Sequence, residues 1–184
     1  MKRALRPLVR SIALGLVYLL SSASAQADPA AASRYYEDGL QRFGQQDLAG
    51  AIIQLKNALQ EKPEMPEARF LLGQALLRTG DPVGAESELR KALALKHPPE
   101  VVVPLLARAL MGQGQAKKLT EEFGSTTLSN GVAQAELKTT LVLVYGAQGK
   151  PAEAEAALAA AIAADPNNAA AQLIEAREKA SKRD

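Results

Sequence analysis

The chain has 184 residues, of which 47% are hydrophobic and 23% are charged, and it contains no cysteine and one histidine. The lack of cysteine excludes structural disulfides and thiol chemistry, and a single histidine leaves few ligands for a zinc site. Four of the 22 basic residues and none of the 20 acidic residues lie in the first 27 positions. The rest of the chain therefore has a slight acidic excess, which does not favour nucleic-acid binding.

The first 27 residues have the pattern of a secretory signal peptide. A basic segment precedes the apolar run SIALGLVYLL at residues 11–20, and Ala25-Gln26-Ala27 fits an A-x-A cleavage site. The alternative is a membrane anchor, but the run is shorter than the roughly 20 residues that span a bilayer. We expect cleavage after about Ala27, no stable membrane span afterwards, and a short linker at residues 28–33.

Two helical hairpins are predicted next, at about residues 34–65 and 66–99. In the second, Gly80 suits the end of the first helix, Asp81 can cap the next helix, and Pro82 fits the first position of that helix. The two hairpins carry the same residue types at a constant offset of 34 positions, which indicates internal repetition. The matching pairs are Gly39 and Gly73, Asp47 and Asp81, Ala51 and Ala85, Leu55 and Leu89, and Ala58 and Ala92.

A third, degenerate unit is predicted at about residues 100–134. It keeps Leu106, Ala107 and Leu110, but Phe123 replaces a leucine, and the breaker-rich segment that follows predicts a short second helix. We expect Phe123 to be the main anchor of this unit and the unit to be the weak point of the fold. A fourth unit follows at about residues 135–168, and residues 169–180 are predicted to form a polar capping helix.

The series Leu72-Gly73, Leu76, Gly80, Ala85, Leu89 and Ala92 resembles the tetratricopeptide repeat (TPR), whose period is about 34 residues. A single hairpin of this kind cannot bury its own apolar face, so consecutive hairpins stack. The resemblance implies an all-α, TPR-like solenoid of about four helix-turn-helix repeats with a terminal capping helix.

The segment YYEDGLQRFGQQDLAGAIIQLKNALQEKPEMPEARFLLGQALLRTGD is similar to the TPR protein of the PEP-CTERM/exosortase system of exopolysaccharide-producing Gram-negative bacteria. Residues 36–38, 51–59 and 104–107 carry this resemblance. Members of that family are longer and are often lipoproteins, whereas this chain has about four units and no cysteine for lipid attachment. The resemblance implies a periplasmic, non-enzymatic adaptor near polysaccharide export or C-terminal sorting, with a protein or peptide partner in the cell envelope.

In such repeats the first helix of each unit lines a concave groove, so the resemblance also implies a set of partner-binding residues. Aromatic and arginine side chains in one groove would suit an extended peptide with an acidic group. Alternatively, the apolar members pack between helices and the polar members are ordinary surface residues. The set is Tyr36, Phe43, Phe70, Gln74, Arg78, Arg108 and Met111, with Leu40 and Leu77 beside them.

The sequence contains no recognisable constellation of catalytic residues. His97 lies in a turn without other metal ligands nearby, and we interpret Glu86 and Glu88 as solvated charges in ordinary helical ion pairs. We therefore expect a protein that is not an enzyme and binds no metal, cofactor or nucleic acid. Two alternatives to an adaptor remain, namely a protein that contacts exported polysaccharide directly and a structural spacer.

Overall fold

The computed structural model describes residues 28–181, which form nine α-helices and no strand. The predicted signal peptide lies outside the described residues. The helices are α1 (Pro29–Gly44), α2 (Leu48–Glu61), α3 (Pro66–Arg78), α4 (Pro82–Ala94), α5 (Pro99–Gly112), α6 (Ala116–Phe123), α7 (Gly131–Ala147), α8 (Pro151–Ala164) and α9 (Ala169–Ser181).

Eight of these helices pair into four successive hairpins. Helix α1 packs on α2, α3 on α4, α5 on α6 and α7 on α8, and neighbouring hairpins stack through contacts such as α2 with α3 and α4 with α5. Helix α9 packs against α8 and α7 at the end of the stack. A contiguous apolar core runs from Leu55 to Ala171. The prediction of an all-α solenoid built from helix-turn-helix repeats is confirmed.

The first two hairpins begin their second helices with the same capping contact. The carboxylate of Asp47 accepts the backbone N–H of Gly50 at 2.9 Å, and that of Asp81 accepts the N–H of Gly84 at 2.8 Å. The preceding residue Gly80 has a φ of +82°, a conformation that favours glycine because it has no Cβ atom. The turn residues recognised in the sequence therefore set where each helix ends and the next begins.

The two helices of a hairpin approach each other closely at a glycine. A Cβ atom on Gly73 would lie 2.7 Å from Cγ of Leu89, and one on Gly39 would lie 3.0 Å from Cγ of Leu55. Both leucines are fully buried, so each fills the space that the facing glycine leaves. The glycine and the leucine that recur in the sequence are therefore explained by the same close contact between the two helices of each of these hairpins.

The third hairpin differs because its second helix, α6, has only eight residues. This confirms the short helix that the sequence predicts. Leu119 and Phe123 attach α6 to the core, with exposed fractions of 0% and 5%. After α6, the Lys138 ammonium donates hydrogen bonds to the carbonyls of Gly124 at 3.3 Å and Thr126 at 3.1 Å, and burial lowers the pKa of Lys138.

The linker predicted at residues 28–33 is wrong, because α1 already begins at Pro29. The Asp28 side chain accepts the N–H of Ala30 at 2.9 Å, and Pro29 occupies a position where a missing N–H costs nothing. The alanines that follow favour helix, and Ala32 is fully buried. A capped alanine-rich segment therefore extends α1 rather than forming a linker.

The close approach at Gly73 predicts opposite effects for the same substitution at two helical glycines. Gly73→Ala should lower the free energy of unfolding by about 1 kcal/mol, because Leu89 must shift and this outweighs the gain in helix propensity. Gly146→Ala should raise it by about 0.5–1 kcal/mol, because Gly146 lies in α7 with nothing within 4 Å of an added Cβ. Urea denaturation measures both, and equal stabilisation by both changes would contradict this packing.

Truncation of Phe123 tests how α6 is anchored. Phe123→Ala should lower the free energy of unfolding by about 3 kcal/mol, because it leaves a cavity under a helix with few other buried residues. Leu173→Ala is the control, because Leu173 is 52% exposed and its loss should cost less than about 0.5 kcal/mol. Full stability of Phe123→Ala would show that α6 is held in another way.

Candidate functional site: a charged concave groove

Two adjoining clefts open on the face formed by the first helices of the hairpins. One, here called the arginine cleft, has a volume of about 420 Å³ and is lined from α1, α3 and α5. The other, here called the glutamate cleft, has a volume of about 440 Å³ and is lined from α3, α5 and α7, including the residues just before α7. The arginine cleft is lined by Phe43, Gln74, Leu77, Arg78, Leu105 and Arg108.

Three residues line both clefts, so the clefts form one surface, here called the concave groove. They are Gln74, Leu105 and Arg108. From this shared centre the groove extends to Phe43 and Arg78 near the C-terminal ends of α1 and α3, and to Glu100 and Glu136 in the N-terminal parts of α5 and α7. It therefore crosses the four helices diagonally, with basic groups towards one end and acidic groups towards the other.

The arginines of the groove have no carboxylate partner among residues 28–181. The guanidinium of Arg78 lies 4.9 Å from the ring centroid of Phe43 and donates a hydrogen bond to the side-chain oxygen of Gln46. Arg108 is exposed and makes neither a hydrogen bond nor an ion pair through its side chain within the described chain. Both charges are therefore free to pair with an anionic group of a ligand.

Phe70 is held in the groove by a contact that the sequence does not predict. Its ring stacks on the imidazole of His97, with 4.5 Å between the ring centroids and 27° between the planes. His97 follows α4, and its backbone N–H donates to the carbonyl of Ala92 at 2.9 Å. The turn histidine thus supports a groove residue, and no local sequence signal connects the two positions.

The acidic end of the groove was also missed in the sequence. Glu100 accepts a hydrogen bond from the Ser129 hydroxyl at 2.8 Å, and this bond lowers the pKa of Glu100, so the carboxylate stays ionised. The side chain of Glu136 is exposed and has no hydrogen bond or ion pair with the described residues. Repeat register could have found Glu136, because it follows the groove residue Val101 by 35 positions, which is the offset between the third and fourth units.

The structure brings five of the seven predicted site residues into the concave groove: Phe43, Phe70, Gln74, Arg78 and Arg108. Tyr36 lines neither cleft. It packs half-buried against the core, and burial, followed by the charge of Glu67, raises the pKa of its hydroxyl. Met111 also lies outside both clefts and is 37% exposed.

Most charges on the second helices α4 and α6 are paired, unlike Arg78, Arg108 and Glu136 in the groove. The predicted helical ion pairs of Glu86 and Glu88 are present, with Arg90 and Lys91, but the prediction that these charges are solvated is wrong, because their side chains are only 12% and 14% exposed. Glu86 accepts hydrogen bonds from Lys118 at 2.7 Å, Gln113 at 2.7 Å and Arg90 at 2.9 Å. The contacts with Lys118 and Gln113 join α4 to the third hairpin, and these residues are too far apart in sequence for a helical ion-pair rule to reveal them, whereas the pair with Arg90 is the i,i+4 pair of that rule.

The Glu86 contacts decide its ionisation. Burial alone would raise the pKa of Glu86, but the hydrogen bonds from Lys118, Gln113 and Arg90 outweigh burial and lower it to about 2. Glu88 behaves similarly: it pairs with Arg69 at 2.5 Å and Lys91 at 2.7 Å, and these bonds overcome burial and lower its pKa. Both carboxylates are therefore structural groups that tie helices together.

Two other kinds of site find no support in the described part of the chain. Among residues 28–181, no three His, Asp or Glu side chains are grouped so that they could hold a metal ion. Over the same residues, none of the helices has the length and apolar character that crossing a bilayer requires.

Comparison with known proteins supports the repeat assignment. Two family models, both described as tetratricopeptide repeat, match residues 42–102 and 139–177, so the chain contains tetratricopeptide repeats. The fold is a TPR-like solenoid. No curated protein matches the sequence.

Solved structures with similar folds include MamA, with a TM-score of 0.68, 22% identity, and coverage of 77% of this chain and 76% of that chain. Pseudomonas aeruginosa PilF has a TM-score of 0.68 at 23% identity, over 84% of this chain and 70% of that chain. The C-terminal part of a TPR-containing protein from Cytophaga hutchinsonii has a TM-score of 0.62 at 22% identity, over 78% and 60% of the two chains. At these identities the likeness shows the fold alone.

The lowered pKa of Glu86 predicts a pH-dependent loss of stability when its charge is removed. Glu86→Gln should lower the free energy of unfolding at pH 7 by about 1–2 kcal/mol, because it removes the negative charge that pairs with Lys118 and Arg90 and replaces one of the two acceptor oxygens by an NH₂ group. A carboxylate whose folded pKa is depressed stabilises the fold above its unfolded value of 4.5, and this contribution disappears as the pH falls towards about 2. The difference between variant and wild type should therefore shrink between pH 5 and pH 3.

Denaturant titrations at several pH values measure this difference. Glu121→Gln is the matched control, because the Glu121 side chain is 65% exposed and pairs with the solvent-accessible Lys117 at 3.7 Å. A gap between Glu86→Gln and wild type that stays constant from pH 7 to pH 3 would contradict the account.

Proposed function

We propose that this protein is a non-enzymatic interaction scaffold that binds a peptide segment of a protein partner in its concave groove. The observation that carries the proposal is the pair of arginines without carboxylate partners, Arg78 and Arg108, in a cleft otherwise lined by Phe43, Leu77, Leu105 and Gln74. Of the five other arginines in residues 28–181, Arg34, Arg42, Arg69 and Arg90 have carboxylate partners, and Arg177 on the terminal helix α9 has none. Unpaired arginines beside apolar side chains are a composition typical of binding surfaces.

The contacts favour a ligand with an acidic side chain next to an apolar one. A carboxylate can accept two parallel hydrogen bonds from one guanidinium, which fixes its orientation as well as its position. Phe43 and Leu105 offer apolar area beside that charge, and the Gln74 amide can donate to and accept from a peptide backbone. The groove thus supplies the contacts that an extended peptide needs.

The aromatic residues of the groove make direct sugar binding the weaker candidate. Sugar sites commonly use flat, accessible aromatic faces. Here one face of Phe43 is covered by the Arg78 guanidinium and one face of Phe70 by the His97 ring. Direct contact with polysaccharide is therefore not our proposal. It and the structural spacer remain as possible outcomes of the crosslinking experiment described below.

The proposed setting is the periplasm of a Gram-negative bacterium, with a role in envelope assembly or exopolysaccharide export linked to PEP-CTERM sorting. The signal-peptide pattern of the first 27 residues and the family resemblance of residues 35–81 support this setting. The scaffold would hold its partner without chemistry, since the resemblance to tetratricopeptide-repeat proteins implies binding and no reaction.

Site-specific photocrosslinking in the producing cells tests the proposal. A photoreactive residue at position 74 lies at the centre of the groove and keeps both arginines. The control position is 56, because Lys56 is exposed on α2 and belongs to neither cleft. We expect a discrete protein adduct from position 74 alone, and we expect Arg78→Glu with Arg108→Glu to reduce its yield at least about tenfold.

Each outcome of the crosslinking experiment supports a different conclusion about the groove. Protein adducts that survive the double arginine change would contradict the assigned contacts. Adducts that contain only polysaccharide would favour the carbohydrate alternative, and no adduct at position 74 would favour a spacer.

A further inference from the structure

We infer that the ligand of the concave groove has segregated charge: an acidic end, a short apolar or polar middle and a basic end. This inference rests on the proposed function and goes beyond an acidic peptide, because it assigns a role to the glutamate cleft. The two ends of the groove carry opposite charge, with Arg78 at one end and Glu100 and Glu136 at the other, while Arg108 lies in the shared centre. A uniformly acidic ligand would satisfy the first end and be repelled by the second.

The charges of the groove are only partly explained by helix stability. Arg78 lies in the last turn of α3 and Glu100 in the first turn of α5, where each complements the helix dipole. Arg108 and Glu136 lie in the interiors of α5 and α7, beyond the turns where the dipole acts. Neither makes a side-chain hydrogen bond or ion pair within residues 28–181. Their charge therefore remains available to a ligand.

The middle of the groove separates the two ends. Leu105 and Phe70 supply apolar area, Gln74 supplies an amide, and Val101 and Val132 are exposed on the wall of the glutamate cleft. Packed helices lie about 10 Å apart, so a path across four of them is roughly 30 Å long. An extended chain of about nine residues spans this distance. The ligand is therefore long enough to place opposite charges at opposite ends.

Three synthetic peptides of about twelve residues provide the test, with an overhang at each end beyond the span of the groove. The segregated peptide has glutamates in its first third, leucine, phenylalanine and asparagine in its middle, and lysines in its last third. The alternating peptide has the same composition with the acidic and basic residues interleaved. The acidic peptide has glutamate in place of every lysine. Fluorescence anisotropy with the chain from residue 28 onwards gives the dissociation constants, since those residues form the described fold.

We expect the segregated peptide to bind at least about tenfold more tightly than either of the others. Glu136→Lys should weaken the segregated peptide about tenfold and tighten the acidic peptide, because it replaces an acidic group by a basic one and leaves Glu100 as the only carboxylate among the residues that line the groove. Arg108→Glu should weaken both. Lys56→Glu, a charge reversal on an exposed residue outside the groove, should change none of the affinities by more than about twofold.

Results that overturn the inference differ from those that overturn the proposed function. Equal binding of the segregated and alternating peptides, stronger binding of the acidic peptide, or no effect of Glu136→Lys would each reject segregated charge. Failure of all three peptides to bind would also reject it, while a protein adduct from position 74 in cells would still support the scaffold. Loss of both the adduct and peptide binding would reject the groove as a binding site.

Discussion

The fold depends on one close contact that is repeated along the chain, a small residue of the first helix against a leucine of the second. Gly73 against Leu89 and Gly39 against Leu55 set how near the paired helices can approach. This contact fixes the helix spacing in the first two hairpins, and the outer faces of the first helices, α1, α3, α5 and α7, form a continuous groove. The concave groove is thus a consequence of packing on its far side, and a larger residue at position 73 would move the helix that carries Phe70, Gln74 and Arg78.

The two faces of the solenoid use charge differently. On the second helix α4, the carboxylates of Glu86 and Glu88 are largely buried and pair with several cations. These charges therefore stabilise the packing of the helices. In the groove, Arg108 and Glu136 have no such partners within residues 28–181. Charge that contributes little to the fold is what a binding surface requires, and this contrast supports the groove as the functional face.

The repeated contacts made most of the fold predictable from sequence. The offset of 34 between Gly39 and Gly73 and the capping residues Asp47 and Asp81 locate the hairpins and their turns, because these features are local or periodic. The start of α1 is harder to predict, because small residues such as those after Pro29 are typical of both a linker and a helix. Within the site, Phe43, Phe70, Gln74, Arg78 and Arg108 line the groove, as the resemblance to the tetratricopeptide repeat implies.

What the sequence could not supply were contacts between distant positions. The stacking of His97 on Phe70 joins residues of different elements, and two partners of Glu86, Gln113 and Lys118, come from the next hairpin. Tyr36 and Met111 were assigned to the groove by register, but register does not say whether a side chain turns into the core or lies at the rim. Only the packing of the helices distinguishes these cases.

The most direct test of the central claim is an NMR titration of the arginine side chains with the segregated peptide. The Nε–Hε signals of Arg78 and Arg108 should shift on binding, because these guanidinium groups have no carboxylate partner within the described chain. Those of Arg69 and Arg90 should not move, because carboxylates already hold them at 2.5–2.9 Å. Shifts confined to Arg69 and Arg90, or no shift of Arg78 and Arg108 at saturating peptide, would contradict a groove that binds through its unpaired charges.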